Sequence, residues 1–142
     1  MAQTRGAARG TGLSHAEKNR LLKAARGMLG RAYAPYSKFF VGAAVLTARG
    51  GLYTGCNVEN ASYGLTNCAE RSAIFSAVAA EGAGMRLRAV AVVNRAKAPC
   101  SPCGACRQVI HEFGPKAVVL YQGKGGVEES TTAELLPAGF EL

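Results

Sequence analysis

Two short stretches of the sequence could together form a hydrolytic metal site. Cys68 and Glu70 stand on either side of one alanine. Farther along, Pro102 precedes a Cys-x-x-Cys pair formed by Cys103 and Cys106. Three thiolates would fill three corners of a tetrahedral zinc ion and leave the fourth open, which distinguishes a zinc that activates water from a structural one. We therefore expect the three cysteines to bind Zn²⁺ and Glu70 to be the catalytic residue that moves protons.

A closed zinc site or a redox Cys-x-x-Cys pair is the alternative interpretation of these cysteines. A closed site needs a fourth ligand, and the candidates are Cys56, Cys100 and His111, none of which stands at a recurring spacing. His111 is the best of the three, but it lies nearly two turns into a predicted helix, so we interpret it as an ordinary helix residue. We interpret Cys56 and Cys100 as small, partly buried apolar side chains.

The composition of the chain excludes several other classes of function. A length of 142 residues suits one domain, and no apolar run approaches the ~20 residues that span a bilayer. The odd number of cysteines and the absence of a secretory pattern favour reduced thiols, so we expect a soluble, cytoplasmic protein. All nine acidic residues are Glu and there are two histidines, which leaves little material for a calcium loop or a serine or cysteine triad.

The net charge of +8 is concentrated in the first part of the chain. Through residue 50 there are nine Lys or Arg against Glu17 alone, and the remaining residues carry eight of each sign. A basic patch could bind nucleic acid, but the earliest charges lie in a Gly/Ala-rich stretch and the next ones follow a predicted helix. We interpret them as a disordered basic tail over residues 1–12 and a solvated helix face, and we do not expect nucleic acid as a partner.

Hydrophobic periodicity predicts one α/β domain over residues 13–142. The predicted elements are a helix over 14–30 with a capping box, a hairpin of strands 39–47 and 52–58, a helix over 68–80, a strand over 87–94, a helix over 103–113, a strand over 117–121 and a short helix over 131–136. In the second helix, Ile74, Phe75 and Val78 should face inward, and residues 123–126 are predicted as a turn without a function. Strands that alternate with helices imply a layered α/β/α domain with some parallel pairing.

Two arginines each directly follow a residue of the predicted zinc site. Three thiolates give the zinc site a net negative charge, which opposes the ionisation of a bound water. The first turns of the two helices favour thiolates through their free amides. Arg71 and Arg107 stand next to Glu70 and Cys106, and we expect both guanidinium groups to donate hydrogen bonds to sulfur and so reduce its charge.

The sequence around these motifs resembles the small homotetrameric cytidine deaminases of the three-cysteine type, in the cytidine/deoxycytidylate deaminase family. The matching segments, in order, are residues 33–39, 41–44, 55–60, 68–71 and 101–109, and the likeness runs from Tyr33 to Phe140. The paired motifs correspond to the zinc deaminase signature. The resemblance implies a three-layer α/β/α fold with a mixed five-stranded sheet, one Zn²⁺ per subunit and a homotetramer with shared active sites.

The resemblance also implies a reaction. Cytidine and 2′-deoxycytidine would be hydrolysed to uridine and 2′-deoxyuridine plus ammonia, in pyrimidine salvage. A water activated by zinc would attack C4, which bears the amine, and Glu70 would carry protons to N3 and to the leaving ammonia.

Substrate contacts follow from the same resemblance at Phe39, Asn57, Glu59, Tyr63, Ala69 and Phe140. Asn57 and Glu59 would hold the ribose 3′-hydroxyl, since an amide and a carboxylate two residues apart at a strand end point the same way. Phe39 would lie against the pyrimidine ring. Tyr63 and Phe140 would reach the site across subunit boundaries.

Two alternative functions share part of this pattern. A deaminase of the blasticidin S type resembles this fold and carries the same zinc motif, but the segment from Asn57 to Asn60 favours a nucleoside. A basic RNA-binding or RNA-editing deaminase would explain the positive charge. It would need aromatic side chains interleaved with the basic residues, which the sequence lacks.

Overall fold

The computed structural model describes residues 12–142, so the predicted basic tail lies outside the described residues apart from Gly12. The helices are α1 (His15–Gly27), α2 (Ala69–Glu81), α3 (Gly104–Phe113) and α4 (Thr132–Leu135). The strands are β1 (Val41–Thr47), β2 (Leu52–Cys56), β3 (Leu87–Asn94), β4 (Val118–Gly123) and β5 (Gly126–Thr131). Single 3₁₀ turns cover Leu29–Arg31 and Tyr63–Leu65.

The five strands form one mixed sheet in the order β2-β1-β3-β4-β5. β3 and β4 are parallel, and the chain crosses between them through α3. The other neighbours pair antiparallel. Every residue of β1 is buried, because helices cover both faces of the sheet at its centre. The mixed five-stranded sheet is confirmed.

Alternate residues of the central strands pack against different helices. Ala43 and Val45 of β1 belong to a core that also contains Ile74 of α2 and Ile110 of α3. The intervening strand residues belong to a second core with Leu21, Leu22 and Ala25 of α1. The side-chain period of two in a strand therefore separates one helix from two others, which gives the predicted α/β/α layers.

The edge strand β5 is missing from the sequence prediction. Residues 123–126 do turn, but they connect β4 to a further strand that begins at Gly126. The β5 run is Gly-Val-Glu-Glu-Ser-Thr, with three of its six residues exposed, and it pairs with β4 alone. Because an edge strand at the surface needs no apolar alternation, its sequence carries little strand signal.

Two smaller predictions about the helices are wrong. Phe75 was expected to face inward, but it is 50% exposed, since it lies on the side of α2 away from the sheet. α1 ends at Gly27, and the chain continues as a 3₁₀ turn rather than as helix to residue 30. Of the described helices, none is long and apolar enough to cross a membrane.

Strand β2 packs directly on the first turns of α2. A Cβ atom at Gly55 would lie 2.4 Å from the backbone nitrogen of Ala73 and 2.7 Å from the carbonyl oxygen of Ala69. A side chain here would push α2 away from the sheet. The glycine thus fixes the position of the helix start that carries Cys68 and Glu70.

Candidate active site and metal centre

The three predicted cysteine ligands lie together in the structure. The sulfurs of Cys68, Cys103 and Cys106 are all within 4.8 Å of one another, and the Cys68 and Cys103 sulfurs are 3.8 Å apart. Zn–S bonds of ~2.3 Å in a tetrahedron place two sulfurs about 3.8 Å apart. Three soft sulfur donors at this spacing fit zinc, and the cofactor is Zn²⁺.

Helix starts position all three sulfurs. Cys68 is the N-cap of α2, Cys103 is the N-cap of α3, and Cys106 lies in the first turn of α3 with its amide 3.5 Å from the Cys103 sulfur. The positive ends of two helix dipoles therefore meet at the cluster, where they stabilise thiolates. Cys106 is buried and Cys103 is exposed, so the cluster has an inner wall and an open side.

The neighbours of Cys68 favour the thiolate form of its side chain. The hydrogen bond from the Cys106 thiol lowers the pKa of Cys68 to about 5, and Arg71 adds to the effect against the opposing influence of burial. The Arg71 Nη2 atom lies 3.2 Å from the Cys68 sulfur. The pKa of Cys106 is raised by the same hydrogen bond to Cys68 and by burial. Because zinc binds cysteine as the thiolate, zinc binding would release the protons that the thiols carry.

Glu70 lies in the first turn of α2 and is only 5% exposed. Burial raises the pKa of its carboxyl group to about 7, and the negative charge on Cys68 contributes in the same direction. The Glu70 amide and the Cys106 thiol offset part of this increase through hydrogen bonds. A carboxyl group with a pKa near neutrality can both accept and release a proton at the pH of the cell.

The sequence predicted that Arg107 donates to a cysteine sulfur, and this prediction is wrong. Its guanidinium donates to the carbonyl oxygens of Pro102 at 2.7 Å and Leu135 at 2.9 Å, and to the Ser101 hydroxyl at 2.9 Å. These oxygens lie in the loop before α3 and at the C-terminal end of α4, where they have no helix or strand partners among the described residues. They therefore accept hydrogen bonds from the N–H groups of the guanidinium. Arg107 therefore braces the loop that holds Cys103, and of the two arginines only Arg71 donates to a cysteine sulfur.

Asn57 and Glu59 both brace the segment before β1. The Asn57 side chain accepts from the Val41 amide at 2.9 Å and donates to the Phe39 carbonyl at 2.8 Å. Glu59 accepts from the Tyr36 amide at 2.9 Å and from both the amide and the hydroxyl of Ser37. The Ser37 hydroxyl is the main cause of the lowered pKa of Glu59.

A cavity of about 370 Å³ lies beside Glu59. Tyr36, Ser37, Tyr63 and Thr66 line it together with that carboxylate. The rings of Tyr36 and Tyr63 meet edge to face at 6.4 Å, and Tyr63 is 78% exposed. Sequence reasoning missed Tyr36, Ser37 and Thr66 as cavity residues. The first two stood inside a segment that matched the family, but nothing in their spacing linked them to Glu59.

The other predicted substrate contacts are distributed over three environments. Phe39 is partly buried and packs against the core below α2 and α3. Ala69 is fully buried at the start of α2. Phe140 is 68% exposed near the end of the chain, where its backbone contacts Gln108 of α3.

The residues considered as alternative ligands remain outside the sulfur cluster. The imidazole of His111 contacts the Glu141 carboxylate at 2.9 Å. Cys56 is partly buried, and burial raises the pKa of its thiol. Cys100 is also partly buried, but it lies close enough to the site for Glu70, Cys68 and Cys103 to raise its pKa in addition to burial. Its position beside the cluster was not foreseen.

A layered α/β/α fold, three clustered cysteine sulfurs and a buried glutamate that interacts with two of these cysteines define a zinc-dependent enzyme of the nucleobase deaminase class. A family model described as the cytidine and deoxycytidylate deaminase zinc-binding region matches residues 15–122. The chain belongs to this family.

Individual relatives agree with the family model. The cytidine deaminase of Sporosarcina psychrophila is 55% identical over 113 residues, which cover 78% of this chain and 81% of the relative. The crystal structure of cytidine deaminase from Burkholderia pseudomallei has a TM-score of 0.78 at 48% identity and covers 89% of this chain and 99% of that chain. A blasticidin-S deaminase of Bacillus cereus is 35% identical over 111 residues, or 73% of this chain and 79% of the relative.

Proposed function

We propose that the chain hydrolyses cytidine and 2′-deoxycytidine to uridine and 2′-deoxyuridine with release of ammonia, as a step of pyrimidine salvage. The observation that carries the proposal is the buried carboxyl group of Glu70 beside three sulfurs at zinc-binding distances. The cytidine deaminases from two bacteria cover most of the chain at 55% and 48% identity, which supports the same substrate class.

Each step of the reaction assigns work to this chain's own residues. Zinc held by Cys68, Cys103 and Cys106 would make a water molecule acidic enough to lose a proton near neutral pH. Glu70 would accept that proton and protonate N3 of the pyrimidine while the water oxygen bonds to C4. Glu70 would then take the remaining proton from the hydroxyl now on C4 and pass it to the amine, so that the C4–N4 bond breaks, ammonia leaves and C4 keeps a carbonyl oxygen. The raised pKa of Glu70, about 7, suits both transfers.

Arg71 would keep the sulfur cluster from being too negative for this chemistry. Its guanidinium lies 3.2 Å from the Cys68 sulfur and adds positive charge next to the site. A hydrogen bond to a ligating sulfur withdraws electron density from the metal, so a bound water ionises more readily.

The nucleoside would lie along the segment that Asn57 and Glu59 brace. Asn57 uses its oxygen and one N–H on the backbone of Val41 and Phe39, so its second N–H is available to the ribose. Glu59 lines the cavity of about 370 Å³, where a carboxylate can accept a hydrogen bond from the 3′-hydroxyl. Phe39 offers an aromatic face for the pyrimidine, and Ala69 would contribute its backbone.

Subunit assembly would complete the site. Several large apolar side chains are exposed in the single chain, among them Tyr33, Tyr63, Leu65, Phe75 and Phe140. Contiguous exposed apolar surface is typical of protein interfaces, and these side chains would supply apolar area to one. We propose a homotetramer with one Zn²⁺ per subunit, in which Tyr63 and Phe140 contact the nucleoside of a neighbouring subunit. The five free cysteines suit a reducing compartment such as the cytoplasm.

An assay of purified protein with its zinc content measured on the same sample tests the proposal. Loss of cytidine absorbance with stoichiometric zinc is the expected result, and a Cys103→Ala variant should lack both zinc and turnover. A zinc-loaded protein that leaves cytidine and deoxycytidine unchanged would contradict the proposal. Sedimentation of the same sample should give the mass of a tetramer.

Blasticidin S is the second candidate substrate, because the deaminase of Bacillus cereus that acts on it is 35% identical to this chain. It carries a cytosine ring, so the same chemistry would apply. The assay therefore includes the antibiotic as a parallel substrate. Faster turnover of blasticidin S than of cytidine would reverse the assignment.

A further inference from the structure

The C-terminal segment that carries Phe140 is held against α3 by a paired hydrogen bond. The side chain of Gln108 donates from Nε2 to the Phe140 carbonyl at 3.0 Å. Its Oε1 atom accepts from the Phe140 amide, also at 3.0 Å. A single amide side chain thus hydrogen-bonds both backbone groups of one residue, as a neighbouring strand would. The pair of bonds fixes the direction in which the Phe140 ring leaves the chain.

A second contact lies one turn farther along α3. The imidazole of His111 is 2.9 Å from the Glu141 carboxylate, and its side chain is only 12% exposed. Gly139 lies flat against the ring, so that a Cβ atom at this position would be 2.7 Å from Cδ2 and 2.8 Å from Cγ of the imidazole. Glycine is therefore required for the segment to approach α3 this closely.

The C-terminal segment stays mostly exposed despite these contacts. α4 ends at Leu135, and the described residues after it form no helix or strand. The Phe140 ring stays 68% exposed, and Glu141 and Leu142 are exposed as well. A terminal segment with so little buried surface usually frays. Three side-chain contacts on a segment that buries almost nothing indicate that its direction matters.

We propose that Gln108, His111 and Gly139 form a C-terminal latch, which positions the exposed Phe140 ring for the nucleoside site of a second copy of this chain. The inference rests on the proposed function, since it assigns a purpose to the presentation of Phe140. The latch residues are positioning residues, which act on substrate only through Phe140. Gln108 and His111 lie on α3, whose N-cap is Cys103, so a zinc ligand and the contacts that hold the C-terminal segment share one helix.

Two substitutions release the latch in different ways. Gln108→Ala removes the paired hydrogen bond, and Gly139→Ala introduces a Cβ atom that collides with the His111 ring. We expect each to raise the KM for cytidine about fivefold to tenfold, the loss that corresponds to one or two hydrogen bonds, with kcat and zinc content nearly unchanged. Gln122→Ala and Gly30→Ala are the matched controls. Within residues 12–142, the Gln122 side chain hydrogen-bonds only to the adjacent Gly123 carbonyl, and a Cβ at Gly30 meets no atom within 4 Å.

Double variants test whether the effect passes through Phe140. Phe140→Ala combined with Gln108→Ala should have the same KM as Phe140→Ala alone. The latch acts only by positioning the Phe140 ring, so its release has no further effect once that ring is absent. His111→Ala combined with Gly139→Ala should have the same KM as His111→Ala alone, since the ring that collides with the new methyl group is gone while the contact with Glu141 stays lost.

The outcomes separate the latch from the proposed function. A wild-type enzyme that does not deaminate cytidine would remove the proposed function and leave the latch without its purpose. An active enzyme whose KM is unchanged in both single variants would overturn the latch alone. Multiplicative effects of Gln108→Ala and Phe140→Ala would also overturn it, because the two residues would then act independently. Amide hydrogen exchange in residues 138–142, above all at the Phe140 amide, should be faster in the latch variants than in the controls.

Discussion

The first turns of α1 and α2 each contain a glutamate, and the pKa values of the two carboxyl groups are shifted in opposite directions. In α1, Glu17 accepts from the Ser14 amide at 3.1 Å while the Ser14 hydroxyl accepts from the Glu17 amide at 3.1 Å. The hydrogen bond from the Ser14 amide is the main reason that the pKa of Glu17 is lowered. In α2, the N-cap Cys68 makes no capping hydrogen bond with its side chain, and burial raises the pKa of Glu70 to about 7.

The difference shows what a catalytic helix start gives up. α1 satisfies its first amides with its own side chains, which stabilises the helix by roughly 1 kcal/mol. α2 places a sulfur where a cap would stand and turns its acid inward, so its free amides and positive dipole end act on the cluster instead. Stability is lost at the position where thiolates and a protonatable carboxyl group are needed.

The largest effect is expected for Cys68→Ser, which converts the start of α2 into an ordinary capped start. Serine is a preferred N-cap but a poor zinc ligand, so zinc and cytidine turnover should both fall below detection. The metal-free variant should nevertheless unfold at the same temperature as metal-free wild type or higher. Thermal unfolding in the presence of a chelator, with zinc content and activity measured before its addition, checks both parts. A Cys68→Ser protein that keeps zinc would break the comparison.

The next largest effect is expected for Glu70→Gln. Glutamine is nearly the same size as glutamate but does not carry a proton between atoms, so kcat should fall by about 10² to 10⁴ while zinc remains bound. Steady-state kinetics on samples of known zinc content measure this. Glu112→Gln on the exposed side of α3 is the matched control and should be fully active. A kcat for Glu70→Gln within a factor of a few of wild type would remove Glu70 from the proton transfers.

The contrast between the two helix starts also marks how far sequence reasoning reached. Local spacing predicted the capping box at Ser14 and Glu17, because it depends on residues within one helix turn. Known ligand chemistry predicted the three zinc ligands, Cys68, Cys103 and Cys106. The mixed sheet followed from family resemblance, while β5 escaped because an exposed edge strand lacks periodicity. Features that depend on distant partners could not be read in this way.

Arg107 and Gln108 illustrate the part that spacing could not supply. Arg107 follows a zinc ligand just as Arg71 follows Glu70, yet its donors go to the Pro102 and Leu135 carbonyls, and Leu135 lies far along the chain. Gln108 contacts Phe140, which is equally remote in sequence. Adjacency to a ligand predicts proximity of the backbone, whereas the direction of a long side chain is decided by which unpaired acceptors the tertiary fold brings near it.

A moderate effect is expected for Arg71→Gln. The variant loses the positive charge 3.2 Å from the Cys68 sulfur but keeps a hydrogen-bond donor. Because substitutions of groups that contact metal ligands typically cost 10- to 100-fold, we expect kcat or zinc affinity to fall by roughly tenfold. Arg107→Gln is the informative companion, since its donors contact carbonyl and hydroxyl oxygens rather than sulfur. Equal losses of zinc affinity in both variants would mean that loop support, not charge at sulfur, is what the arginines supply.

The smallest effect is expected for Glu17→Gln, the same substitution as Glu70→Gln placed at the start of α1. Glutamine can still accept from the Ser14 amide, so the change removes mainly the charge that pairs with the helix dipole and with Arg88 at 3.0 Å. Zinc content and kcat should stay at wild-type values, with Tm lower by a few degrees at pH 7.

The pH dependence of that small loss tests its electrostatic origin. The pKa of Glu17 is lowered from its ordinary value of 4.5, so its ionised form is the one that stabilises the fold. The contribution is complete above pH 4.5 and is lost as the pH falls through the lowered folded-state pKa, where wild type and variant are both neutral at this position. The Tm difference between wild type and Glu17→Gln should therefore shrink toward acid. A difference that persists at low pH would mean that α1 depends on the packing of this side chain. The N-terminus of α1 would then not be stabilised by charge, and its contrast with the N-terminus of α2 would need revision.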